Sequence, residues 1–88
     1  MTRKEIIIKN KLGLHARPAA SFVQLANKFI SEISVKKGNQ TVNGKSIMGI
    51  LMLAAGQGSK IELIAEGDDA EQALSELERF LSTDNDIK

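Results

Sequence analysis

The chain has 88 residues, a single histidine, no cysteine, tryptophan or tyrosine, and a formal net charge of +1. Without cysteine there is no disulfide scaffold, thiolate metal centre or cysteine nucleophile, and one histidine alone makes a poor zinc site. No metal is expected. With only Phe22, Phe29 and Phe80 as aromatics, there is little platform for stacking single-stranded bases, so no nucleic-acid partner is expected either.

The length suits one domain over residues 1–88, and an apolar content of 42% suits a packed globule. No apolar run approaches the roughly 20 residues that span a bilayer, so no stable membrane insertion is expected. The start, Met1-Thr2-Arg3-Lys4-Glu5, lacks the apolar stretch of a signal peptide, and a cytoplasmic location is expected. Charge is balanced in sum but not in place. Residues 1–60 hold ten Lys or Arg against two acids, and residues 61–88 hold nine acids against two bases. That asymmetry predicts a basic working surface and an acidic remote helix.

Residues 3–9 read as a strand through the β-branched run Ile6-Ile7-Ile8. Residues 16–28 read as a helix, with Ala19, Phe22, Val23 and Ala26 on one stripe. Residues 32–37 alternate, Ile33 and Val35 against Glu32, Ser34 and Lys36, and Gly38-Asn39 turns the chain into a short strand at 40–42. Ser46 suits an N-cap for a short helix over 47–53, stopped near Gly56 or Gly58. Residues 60–66 form the last strand. Asp69 can cap a helix over 70–81 with the stripe Ala70, Ala73, Leu74, Leu77 and Leu81. Residues 82–88 form a polar tail expected to fray. The order is β-α-β-β-α-β-α. Its simplest burial is a four-stranded antiparallel sheet with three helices on one face.

Chemistry concentrates in Gly13-Leu14-His15-Ala16-Arg17-Pro18-Ala19. The run joins the first strand to the first helix. A helix start offers unpaired N–H groups and a positive dipole end to an anion, phosphate above all. Arg17 adds a planar cation able to hold two phosphate oxygens. A neutral imidazole beside such a pocket can attack phosphorus. The run therefore suggests phosphoryl transfer onto and off His15. A second feature is the helix over 47–53, apolar nearly all round. On helical spacing Ile50, Leu53 and Ala54 can face the core. That leaves Ile47, Met48, Leu51 and Met52 together on another side as a candidate docking surface. No Walker loop, paired carboxylate site or Ser-His-Asp arrangement is evident.

Asn10-Lys11-Leu12-Gly13-Leu14-His15-Ala16-Arg17-Pro18-Ala19 resembles the phosphorylation site of the HPr family, the histidine phosphocarriers of the bacterial phosphoenolpyruvate:sugar phosphotransferase system. Asn43-Gly44-Lys45-Ser46-Ile47-Met48-Gly49-Ile50-Leu51 resembles that family's regulatory serine region, and the spacing between the two segments fits. The resemblance implies an open-faced sandwich of the α+β class with strand order 1-4-2-3. It implies that His15 accepts a phosphoryl group from enzyme I and passes it to a sugar-specific enzyme IIA, with Arg17 as electrostatic partner. It also implies phosphorylation of Ser46 by a dedicated kinase/phosphorylase, contact with a transcriptional regulator, and docking through Ile47, Met48 and Leu51. On this reading the protein is a stoichiometric, monomeric carrier rather than an enzyme and needs no cofactor. The rival is a nitrogen-branch or purely regulatory relative, a binding module controlled by phosphorylation.

Overall fold

The computed structural model describes residues 1–9, 13–14 and 16–82. The elements run β1 (Thr2–Ile7), α1 (Ala16–Ala26), β2 (Glu32–Lys37), β3 (Gln40–Asn43), α2 (Ile47–Leu53), β4 (Lys60–Glu66) and α3 (Ala70–Ser82). The strands form one antiparallel sheet in the order β1-β4-β2-β3, with the three helices on one face. The register puts Ile6 opposite Ile61, Val35 opposite Leu63 and Ile33 opposite Ala65. All six are buried, so the apolar half of each alternation lines one continuous face. Glu5 opposite Glu62 and Lys36 opposite Glu62 fall on the other, open face. The sheet is thus covered on one side only, as its alternating strands require.

The helices close that face with the expected stripes. Ala19, Phe22, Val23 and Ala26 of α1 and Ala70, Ala73, Leu74, Leu77 and Leu81 of α3 are all buried. Each of the larger side chains contributes about 1.5–3 kcal/mol by leaving water. Phe80 reaches from α3 to Phe22 of α1, with ring centroids 6.4 Å apart and planes tilted by 60°. This tilted arrangement avoids the face-to-face stacking that ring quadrupoles disfavour, and it links two helices far apart in sequence.

Four details differ from the sequence expectation, each for a local reason. β1 ends at Ile7, not Lys9, because its partner β4 begins at Lys60; Ile8 instead pairs with the loop before β4, donating to the Ser59 carbonyl and accepting from the Gly58 N–H. Helix α1 stops at Ala26, where its apolar stripe ends. Beyond it Lys28 and Phe29 donate to the Leu25 and Ala26 carbonyls, the tighter i→i−3 pattern of a closing turn. Helix α2 is stopped by Ala54 rather than a glycine. Ala54 takes the left-handed conformation at φ 54° and is exposed, not core-facing.

The fourth difference is Asp69. It stands just before α3, but its carboxylate accepts from the backbone N–H groups of Ile30 (2.9 Å) and Ser31 (3.0 Å) and from the Ser31 hydroxyl. The Ser31 hydroxyl above all holds this carboxyl below its ordinary value; partial desolvation opposes it, and the two backbone donors assist. Gly67 makes the approach possible. A Cβ there would lie 2.5 Å from the Ser31 Oγ. The carboxylate therefore ties the α1–β2 loop to the β4–α3 turn.

The charge asymmetry is also partly folded away. Arg3 pairs with Glu62 and Lys4 with Glu78, each at 3.4 Å, so the basic start lies against the acidic end.

Candidate phosphoryl-transfer site and docking face

The α2–β4 connection is built from its carbonyls outward. The last carbonyls of a helix have no partner within it, and here those of Leu51, Met52 and Leu53 find one beyond it. Leu51 accepts from the Ala54 N–H at 3.1 Å, and Met52 accepts from the Gln40 side-chain amide at 3.4 Å. The Lys37 ammonium donates to the carbonyls of Leu53 (3.5 Å) and Ala54 (3.0 Å). Ala55 accepts from the Leu14 N–H at 2.8 Å, and Gly56 from the Ser59 N–H at 3.1 Å. Lys37 and Gln40 face each other across the β2–β3 turn, so one hairpin end closes the end of α2.

This connection grips both ends of the segment that leads into His15. At its start Ile8 is bonded to Gly58 and Ser59; at its end Leu14, the residue before His15, is bonded to Ala55. Leu14 is buried, and Gly13 at φ +69° lies so close that a Cβ would come within 2.5 Å of the Ala55 carbonyl oxygen. Only glycine suits both that conformation and that approach. His15 itself, with residues 10–12, lies outside the described residues. Arg17 is exposed in the first turn of α1, the second residue of the helix. Among the described residues no group of three or more His, Cys, Asp or Glu could hold a metal ion.

Ser46 is the N-cap of α2. Its backbone is extended (φ −113°, ψ 117°), and its hydroxyl oxygen accepts from the Gly49 N–H at 3.0 Å. The approach is held by Asn43, whose side chain accepts from the Lys45 N–H and whose carbonyl accepts from the Ser46 N–H. The Lys45 ammonium donates to the Phe29 carbonyl at 2.6 Å and so is committed to the α1–β2 loop. Seven helical residues span about 10 Å. Ser46 and the Leu14 clamp therefore sit at opposite ends of α2.

Between them lies an apolar outer face. Ile50 and Leu53 are buried, while Ile47 (46%), Met48 (69%), Leu51 (38%) and Met52 (65%) remain exposed. The division predicted by helical spacing holds for these six and fails at the exposed Ala54, and α2 packs beside α1, the helix that carries Arg17. Lys37 and Gln40 are the residues that sequence reasoning missed. On a strand alternation Lys37 reads as a solvated charge, and nothing local signals a helix end waiting for it.

The family model described as the PTS HPr component phosphorylation site matches residues 2–83. The chain belongs to the HPr family. It is 52% identical over 81 residues to the HPr-like protein Crh of Halalkalibacterium halodurans, covering 92% of this chain and 96% of that one. It superposes on the crystal structure of HPr from Thermoanaerobacter tengcongensis with a TM-score of 0.91 at 55% identity, covering 93% and 92% of the two chains. It also matches the crystal structure of Crh from Bacillus subtilis, a domain-swapped, intertwined dimer, with a TM-score of 0.77 at 42% identity over 96% and 97%. This family is one of phosphocarriers of the phosphotransferase system, and its relatives include both HPr and Crh forms. No helix among the described residues is long and apolar enough to cross a membrane.

Proposed function

We propose that this protein is a phosphocarrier whose His15 accepts a phosphoryl group from enzyme I and passes it to sugar-specific enzyme IIA components. The observation that carries the reading is the exposed apolar face of α2 beside the clamp on Leu14, the residue before His15. A partner seated on Ile47, Met48 and Leu51 would meet the His15 segment at the same time. The attacking nitrogen must be unprotonated, and a helix start with Arg17 nearby disfavours the imidazolium. One bond to phosphorus forms as the donor's bond breaks, and no water is consumed. The work is positioning and charge stabilisation. The protein is consumed and regenerated as a carrier and is not itself an enzyme. It acts as one domain over residues 1–88, as a monomer in the cytoplasm, and without a cofactor.

Ser46 is the regulatory site in this reading. A phosphoryl group there would lie at a helix start, which tolerates negative charge, but beside the apolar face, where it would oppose docking. A kinase/phosphorylase acting on Ser46 and a transcriptional regulator reading the product are the corresponding partners. The similarity to Crh favours a second reading, a regulatory binding module in which Ser46 matters and onward transfer does not occur. The two separate by supplying the phosphorylated protein with isolated enzyme IIA components, from sugar and nitrogen branches. A carrier loses its phosphoryl group to an acceptor within seconds to minutes, and a module keeps it. Light scattering of the same sample checks the monomer against a swapped dimer.

A further inference from the structure

We propose that Lys37 is a positioning residue for the His15 segment, acting through the end of α2; its catalytic consequence rests on the phosphocarrier reading above. The chain of contacts is continuous. The Lys37 ammonium, at the end of β2, holds the carbonyls of Leu53 and Ala54. Those two carbonyls are the last before Ala55, whose own carbonyl receives the Leu14 N–H. Ala54 is a non-glycine residue in the left-handed conformation, a geometry that costs energy and persists only where neighbours hold it. Lys37 is the one side chain that bonds the Ala54 carbonyl among the described hydrogen bonds. Gln40, on the facing strand, holds only Met52, two residues before Ala54.

The consequence is a defined division of labour. The α2–β4 connection holds Leu14 through the Ala55 carbonyl and leaves no room for a side chain at Gly13, so a displaced Ala55 carbonyl would lose the Leu14 N–H. Lys37 sets where that carbonyl points. It touches neither phosphorus nor the partner and works through Ala54 and Ala55. A cation is suited to the task, since it meets the negative end of α2 and can serve two carbonyls together. The docking face is left alone, because Lys37 bonds backbone oxygens and none of the four exposed side chains.

The test uses the full chain as wild type, Lys37→Met and Lys37→Arg. Methionine keeps an apolar stem without the donor; arginine restores the donor and charge. Amide hydrogen exchange is read at Leu14 and across the β2–β4 ladder. In Lys37→Met the Leu14 amide should exchange about tenfold faster while ladder amides move less than about twofold, the mark of local rather than global opening. Single-turnover transfer from phosphorylated enzyme I should slow about fivefold at saturating donor, with affinity within about twofold, because misplacement costs rate rather than binding. Arginine should recover most of both losses. An unchanged Leu14 amide, or Leu14 and ladder amides accelerating together, would overturn the proposal, as would unchanged transfer. If wild-type protein takes up no phosphoryl group, the carrier reading falls, and the exchange arm still decides whether Lys37 sets Leu14.

Discussion

Helices α2 and α3 lie on the same sheet and are finished in opposite ways. α3 has 13 residues, five of them buried, and its outer face carries Glu71, Gln72, Ser75 and Arg79. It is amphipathic in the ordinary sense, and nothing about its surface asks for a partner. α2 has seven residues and buries only Ile50 and Leu53, while its outer face is Ile47, Met48, Leu51 and Met52. Folding does not need that second apolar face. The comparison separates residues that hold the fold from residues available to a partner, and substitutions can test the separation.

The largest effect should come from emptying the α3 stripe. Leu77 is fully buried, and Leu77→Ala should cost about 2–5 kcal/mol in denaturant unfolding, through lost burial and a residual cavity. Met48→Ala, 69% exposed on α2, should leave unfolding nearly unchanged and weaken enzyme I binding by calorimetry. A large stability loss at Met48 would break the distinction.

Arg17→Ala comes next. Deleting a charged contact to phosphate should remove on the order of 1.5–3 kcal/mol from transfer, read as a slower rate, with little change in melting. Lysine should rescue only in part, since it lacks the planar fork. Equal rates for all three proteins would remove Arg17 from the site.

Ser46→Asp should be milder. The carboxylate can replace the serine as cap and gains about 0.3–1 kcal/mol from the helix start. It also puts charge beside Ile47. Melting should hold while enzyme I affinity falls. A large drop in melting temperature would make Ser46 a purely structural cap.

The smallest effect belongs to Asp69, on the α3 side. Its folded-state carboxyl sits below the ordinary 3.8, so its contribution is fully present above that value and lost as pH falls through the lower folded-state value. The stability difference between wild type and Asp69→Asn should therefore be constant near neutrality and shrink below about pH 4. A difference that persists unchanged in stronger acid would contradict the contacts to Ile30 and Ser31.

What could be read from the chain follows from what is local. The stripes of α1 and α3, the alternation of β2 and β4, the Ser46 cap and the sidedness of α2 all depend on neighbours within about two turns, and each was legible. Strand order was not carried by periodicity; it came from resemblance, because any of these strands presents one apolar face. The Asp69 tie joins residues 38 and 39 positions apart, and the Lys37 clamp joins residues 16 and 17 apart. Both depend on carbonyls and amides that become partnerless only once the elements are placed. Ala54 was missed for the opposite reason. Glycine is the usual stop, two glycines lie just beyond, and the strain at alanine is sustained by the bonds that close the helix end around it. Of the site itself, His15 and Arg17 were legible as residue types at a strand–helix junction, while the grip on Gly13 and Leu14 emerged only with the fold.

The central claim is that His15 carries the phosphoryl group. Wild type and His15→Ala are incubated with phosphoenolpyruvate and enzyme I, and intact mass is recorded before and after mild acid. The account predicts a gain of one phosphoryl group on the wild type, lost in acid, and no gain on the variant, whose circular dichroism and melting match the wild type. Acid-labile uptake by a folded His15→Ala protein, or wild-type uptake that survives acid, would contradict it.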